Sequence, residues 1–303
     1  MPKYRYLHLD VFTDRPFSGN QLAVFPQAAG LDSEVMQRIA AEIGFAETTF
    51  VLPAEGAGTH ARVRIFTPGV ELPMAGHPTI GTTFALALER SIEAGREEIV
   101  LGLGVGPTRV QLEWEAGRLR FAWMTQPEPK FGSKASGVSR LAHALGIGDE
   151  EIRNPTLPAQ ELSSGVPFLF VPLRSRKMVD AVVVDRAALS DFYRAEGIPE
   201  MPVYVFSLEP AGDDADIYSR MFAPGFGVVE DPATGGAGGP LGAYLVHYRA
   251  VSADRAAHMI NLQGVKMGRP SRIHISIGTR QGQIESARVG GLAVLVAEGV
   301  MHL

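Results

Sequence analysis

Three titratable side chains lie in or beside the glycine-rich turns of this chain. Glu47 opens the segment Glu47-Thr-Thr-Phe-Val-Leu52, His77 stands in Ala75-Gly-His-Pro78, and Asp231 stands in Glu230-Asp-Pro-Ala-Thr-Gly235. A partly desolvated carboxylate with an imidazole beside anion-holding backbone dipoles is what proton transfer at carbon requires. Each residue also has an ordinary role. A Glu at a strand start is most often solvated. An isolated loop His sits at the surface or serves as an acid/base or anion donor. Asp231 caps its own loop as readily as it serves a site.

Other chemistries lack their residues. The chain has no Cys, which removes thiol nucleophiles, disulfides, zinc-thiolate sites and iron–sulfur clusters. Its His residues form no H-x-x-x-H or H-E-x-x-H pair, and no G-x-S-x-G elbow is present, so neither a metal nor a serine hydrolase is expected. No G-x-x-x-x-G-K-[ST] occurs, and Gly236-Ala-Gly238-Gly-Pro-Leu241 lacks the third Gly of a dinucleotide fingerprint, so no cofactor is expected.

An internal repeat supplies the elements that must hold these residues. Residues 64–69 read Arg-Ile-Phe-Thr-Pro-Gly and residues 220–225 read Arg-Met-Phe-Ala-Pro-Gly. A second match follows each, Glu71-Leu-Pro-Met-Ala-Gly76 and Glu230-Asp-Pro-Ala-Thr-Gly235, and then an apolar segment, Ile80 to Leu88 and Leu241 to Tyr248. Upstream, the spacing predicts a helix over 31–43, with Asp32 as N-cap, a Leu31–Met36 staple and Gly44 as its end. Its counterpart is a helix from Arg186 to Gly197, followed by a strand from Val203 to Leu208. Short strands are expected at 99–101, 110–114 and 119–123, the last two joined across Glu115-Ala-Gly-Arg118, and again at 273–277 and 292–296. Gln126 to Ser139 reads as a connection between halves 1–127 and 128–303, with the last strand able to cross back.

The expected fold class is α+β: two pseudo-symmetric halves, each a curved, largely antiparallel sheet around one buried helix. The helices after Pro78 and Pro240 are apolar nearly all round. Their starts leave four N–H groups without partners in the helix. These act as two anion-binding N-termini, directed into one cleft if the halves face each other, or simply as capped tight turns. The chain has 303 residues and a net charge of −5, which argues against nucleic acid or anionic membrane as partner. Its first residues form no signal-peptide core and no stretch approaches a membrane span, so a cytoplasmic protein is expected.

At these residues the chain resembles the PhzF family, the phenazine-biosynthesis-like proteins. The resemblance runs in order through Gly19-Asn20, Glu47-Thr-Thr-Phe-Val51, Arg64-Ile-Phe-Thr-Pro68, Glu71-Leu-Pro-Met-Ala-Gly-His-Pro78, Arg220-Met-Phe222, Val229-Glu-Asp-Pro-Ala-Thr-Gly235, Gly239-Pro-Leu-Gly-Ala-Tyr244 and Gln263-Gly-Val-Lys-Met-Gly-Arg-Pro270. It implies a diaminopimelate-epimerase-like fold with its site between the halves, no metal or organic cofactor, a small-molecule carboxylate substrate and commonly a homodimer.

The phenazine member isomerises trans-2,3-dihydro-3-hydroxyanthranilate, moving a proton from C3 to C1 to give an enol that becomes the ketone. By this resemblance Glu47 is the proton shuttle, and His77 and Asp231 orient the substrate and assist. Backbone donors around Gly76, Gly235 and Gly236 hold its carboxylate. Where the family usually reads T-G-S-A, this chain reads Thr234-Gly-Gly-Ala237. That departure keeps a second reading open, a non-catalytic or differently specific carboxylate-binding member. The two-thiol epimerases of the same fold are excluded by the absence of Cys.

Overall fold

Asp32 accepts a hydrogen bond from the Val35 amide at 2.8 Å, and Gly44 ends the same helix in the left-handed region at φ 69°. The helix between them therefore starts and stops where its sequence places the caps. The computed structural model describes residues 2–56, 58–152, 154–281 and 283–303, and only the backbone of Ala253. The chain divides into two compact units, 1–126 with 288–303, and 127–287.

The first unit contains β1 (Lys3–Val11), β2 (Asn20–Phe25), α1 (Ser33–Ile43), β3 (Glu47–Leu52), β4 (Ala61–Phe66), β5 (Glu71–Leu72), α2 (Gly76–Leu88), β6 (Glu98–Leu103), β7 (Gly106–Glu115) and β8 (Arg118–Gln126). The second contains β9 (Lys130–Lys134), α3 (Val138–Leu145), α4 (Asp149–Ile152), β10 (Gln160–Ser163), β11 (Pro167–Pro172), α5 (Arg176–Ala181), α6 (Arg186–Glu196), β12 (Val203–Ser207), β13 (Ile217–Ala223), β14 (Val228–Asp231), α7 (Gly238–His247), α8 (Ala253–Ala256), β15 (Met259–Gln263) and β16 (Ser271–Arg280). Strand β17 (Gln283–Gly291) carries the chain back into the first unit, where β18 (Ala293–His302) completes it.

The repeat in sequence is a repeat in topology. In the first unit β1 and β2 are antiparallel, β2 and β3 parallel, β3 and β4 antiparallel, β4 and β6 parallel, and β6 and β7 antiparallel. In the second, the pairs β10/β11, β11/β12, β12/β13, β13/β15 and β15/β16 follow the same series. Helices α1 and α6 occupy equivalent crossovers, and α6 has the same caps: Asp185 accepts from the Ala188 amide at 3.0 Å and Gly197 turns at φ 70°.

Each unit buries one apolar helix. Every residue of α2 from Gly76 to Leu86 is buried, and the helix packs against β1, β2, β3, β8 and β18. Its last residue, Leu88, departs from the all-round burial expected and is exposed. Helix α7 is buried from Gly238 to Leu245 and packs against β10 and β16. A second layer covers the outer face of part of each sheet. In the first unit Met36, Ile39 and Ala40 of α1 pack on Phe25, Phe50 and Phe66. In the second, Leu141 and Leu145 of α3 and Phe192 of α6 pack on Leu169 and Val203.

The repeated Arg and Glu residues form the same clamp twice. Arg64 donates through Nε and Nη2 to both oxygens of Glu71 at 2.7 and 2.6 Å, and its guanidinium lies 5.0 Å from the Phe66 ring centre. Arg220 grips Glu230 in the same way at 2.9 and 2.8 Å, 4.7 Å from the centre of Phe222. Arg220 is the more buried of the two, and its Nη1 also donates to the carbonyls of Val179, Asp180 and Val182 at the end of α5. Each clamp closes a short hairpin, β4–β5 or β13–β14, that feeds a glycine-rich turn.

One expectation is corrected. The stretch 126–139 is more than a connection, because Lys130-Phe-Gly-Ser-Lys134 forms β9 on β10 and α3 begins at Val138. All five β9 residues are exposed. With no buried face, the strand has no alternating pattern to betray it.

Candidate active site

Glu47 is the first residue of β3, in register with Leu22 of the parallel strand β2. Strand alternation puts Thr49 on the same face, where its hydroxyl meets that of Thr82 on α2 at 2.8 Å, so this face is turned toward α2. His77 is the second residue of α2 and is buried. Glu47 Oε2 and His77 Nε2 lie 3.1 Å apart, with the Glu47 side chain 16% exposed. Both surface readings of these residues are thereby corrected. The two atoms are at hydrogen-bond distance without hydrogen-bond alignment, and neither has another hydrogen-bond partner among the described residues.

The imidazole is held from behind. Asn20 Nδ2 lies 3.1 Å from His77 Nδ1. An amide nitrogen only donates, so Nδ1 accepts, and the proton of a neutral His77 is on Nε2. Asn20 reaches this position through Gly19, which has φ 68°. A Cβ there would lie 2.2 Å from the Val11 carbonyl oxygen, so only glycine allows the turn. The sequence marks Gly19-Asn20 as a turn, but nothing in it points to the imidazole. Register supplies the rest, by pairing Asn20 with Val11.

Gly76 opens α2. The N-cap residue Ala75 offers no side-chain hydrogen bond, and Thr79 and Thr83 return their hydroxyls to the helix carbonyls of Ala75 and Thr79 at 2.7 and 2.8 Å. The helix start is therefore not capped by its own side chains.

Asp231, Gly235 and Gly236 belong to the second unit. Asp231 ends β14, opposite Met221, and is buried. Its Oδ2 accepts from the Thr234 hydroxyl at 2.6 Å. Thr234 in turn is held by Gln263 on β15. Gln263 Oε1 accepts from the Thr234 amide at 3.1 Å, and Gln263 Nε2 donates to Thr234 Oγ1 at 2.9 Å and to the Asp231 carbonyl at 2.8 Å. Gly235 and Gly236 then form a short 3-10 turn that runs into α7. A Cβ at Gly236 would meet nothing within 4 Å, so the serine usual in the family fits there without displacement. Neither Thr234 nor Gln263 carries a sequence signal for this task, since each reads as an ordinary polar residue.

The mixed, twofold-repeated sheets are those of the epimerase-type fold. A solved structure of a predicted epimerase from Pseudomonas aeruginosa superposes with a TM-score of 0.81 at 31% identity, covering 98% of this chain and 99% of that one. The Bacillus anthracis phenazine biosynthesis protein of the PhzF family gives 0.88 at 29% identity, with both chains fully covered. The trans-2,3-dihydro-3-hydroxyanthranilate isomerase of Pseudomonas aeruginosa is 36% identical over 300 residues, 99% of this chain and all of the relative. Residues 9–299 match the PhzC-PhzF family of phenazine biosynthesis-like proteins, and the chain belongs to that family. It is an isomerase.

Proposed function

We propose that this isomerase moves a proton on a small cyclic carboxylate, as a trans-2,3-dihydro-3-hydroxyanthranilate isomerase does, with Glu47 as the acid/base. Part-buried Glu47 and buried His77, 3.1 Å apart, carry the reading. Glu47 takes the C3 proton as a carboxylate, the ring double bonds shift, and the protonated Glu47 returns the proton at C1. The resulting enol relaxes to the ketone. His77 donates from Nε2 to hold Glu47 or the developing oxyanion, and Asp231 orients the substrate and assists transfer. Backbone N–H groups at Gly76, Gly235 and Gly236 bind its carboxylate. We further propose that it works in the cytoplasm as a homodimer with no cofactor.

The test is turnover of dihydrohydroxyanthranilate in D2O. Solvent deuterium is expected in the product, and Glu47→Gln is expected to lower turnover about 10³-fold while the circular dichroism spectrum is unchanged. Full activity in that variant sinks the assignment. Gly236 favours one second reading, a differently specific member that binds this aromatic carboxylate without converting it. Binding without exchange in the parent, and turnover appearing in Gly236→Ser, would establish it.

A further inference from the structure

The two units offer an internal comparison around Asp231. Strand registers place Leu72 where the second unit has Asp231, Val63 where it has Ser219, Leu101 where it has Asn261 and Leu103 where it has Gln263. The loop sequences place Ala75 where it has Thr234. At these five positions the scaffold carries apolar side chains in the first unit and a hydrogen-bonded polar network in the second, while the place of Tyr204 is taken in the first by Thr49. Burying polar groups is costly unless every one is bonded, and the first unit shows that the fold does not need them.

The network has a direction. Tyr204 on β12 is fully buried, and burial pushes its phenol up, so it stays protonated. Asn261 Nδ2 donates to Tyr204 Oη at 2.7 Å, and Tyr204 donates to Gln263 Oε1 at 2.8 Å. That bond, with the Thr234 amide, fixes the Gln263 oxygen on one side and turns its NH2 toward Thr234 Oγ1 and the Asp231 carbonyl. Both acceptor and both donor positions of Gln263 are then filled. Thr234 Oγ1 accepts from Gln263, so its own proton goes to Asp231 Oδ2, at 2.6 Å.

We infer that Tyr204, Gln263 and Thr234 are positioning residues, a one-way chain of hydrogen bonds that holds the Asp231 carboxylate aimed for the isomerisation. This rests on the proposed role of Asp231 at the substrate. The experiment compares kcat and KM for dihydrohydroxyanthranilate in the parent, Asp231→Asn, Thr234→Val, Thr234→Ser and Tyr204→Phe, with melting temperatures alongside. Thr234→Val is expected to lose about tenfold or more in kcat with KM within about twofold. Thr234→Ser, which keeps the hydroxyl, restores most of it, and Tyr204→Phe falls in the same direction by a smaller factor.

If Asp231→Asn is inactive but Thr234→Val keeps the parent's kcat, this inference alone is overturned, even when the Val variant melts lower. An active Asp231→Asn overturns the role of Asp231 and the inference together. Absence of turnover in the parent overturns the proposed function and takes the inference with it.

Discussion

Asn20 illustrates how far a single side chain governs the chemistry around it. If its amide sets the His77 tautomer, Asn20→Leu releases the ring to carry its proton on either nitrogen. The expected result is a kcat lowered about 10- to 100-fold with little change in KM, measured by turnover of dihydrohydroxyanthranilate. An unaltered kcat would separate Asn20 from the chemistry. The two clamps differ in a predictable way. Arg220 and Glu230 are both nearly buried, while Glu71 is 40% exposed. Lysine cannot form the fork or reach the α5 carbonyls. Arg220→Lys should therefore cost about 3 kcal/mol and Arg64→Lys about 1 kcal/mol, by urea unfolding. The Glu71 carboxylate is held below its ordinary 4.5, chiefly by hydrogen bonds from Arg64 and against the opposing effect of partial burial. A depressed folded-state value contributes stability above the unfolded value, and that contribution is lost as pH falls through the folded one. The stability gap between parent and Glu71→Gln should thus be constant above about pH 5 and close in acid. A gap that widens in acid contradicts the pairing. Glu47, His77 and Asp231 could be singled out in the sequence because they stand in or beside turns marked by glycine. Their burial could not, since it comes from strands and helices distant in sequence. Gln263 and Asn20 were opaque for the same reason.

Helix α3 shows how one element depends on another. Its N-cap, Gly137, has no side chain to offer. Instead Glu196, at the end of α6, accepts from the amides of Ser136 and Gly137 at 2.7 and 3.0 Å. Burial pushes this carboxyl up, but those bonds outweigh it and hold it low. Glu196→Ala should destabilise by about 1 kcal/mol and should speed amide exchange in the first turn of α3 before that of α6. Equal protection in both forms would refute the capping role. The Gln263-Gly264 turn at the end of β15 has no spare room. A Cβ on Gly264 would lie 2.4 and 2.5 Å from the carbonyl oxygens of Arg269 and Pro232, at φ 77°. Gly264→Ala is therefore expected to cost about 2 kcal/mol or more, and its lowered melting temperature would check this. Some elements were legible because their own residues mark their ends, as the caps of α1 and α6 do. The β7–β8 hairpin is an example, with Ala116 and Gly117 at φ 48° and 77° as a two-residue turn of that kind requires. Strand β9 was not legible, because its partner strand makes it and its side chains do not.

The duplication accounts for much of the molecule, but the two units are not closed in the same way. The second is one continuous stretch, 127–287, whereas the first takes its β18 from the other end of the chain. Strand β18 pairs with β1 along nearly its whole length, from Lys3 opposite His302 to Val11 opposite Ala293. A chain ending at residue 287 should consequently keep a folded second unit and lose cooperative melting of the first. Adding 288–303 as a separate peptide should restore part of it, readable by tryptophan fluorescence because Trp114 and Trp123 lie on β7 and β8. Unchanged melting of the first unit in the shortened chain would show that β18 is dispensable. This path also sets an order in time. During synthesis β1 leaves the ribosome well before β18, so the first unit waits for a strand that is made after the second unit. A continuous 127–287 stretch can be complete before its predecessor. Translation that halts between β17 and β18 leaves the first unit unfinished beside a complete second one.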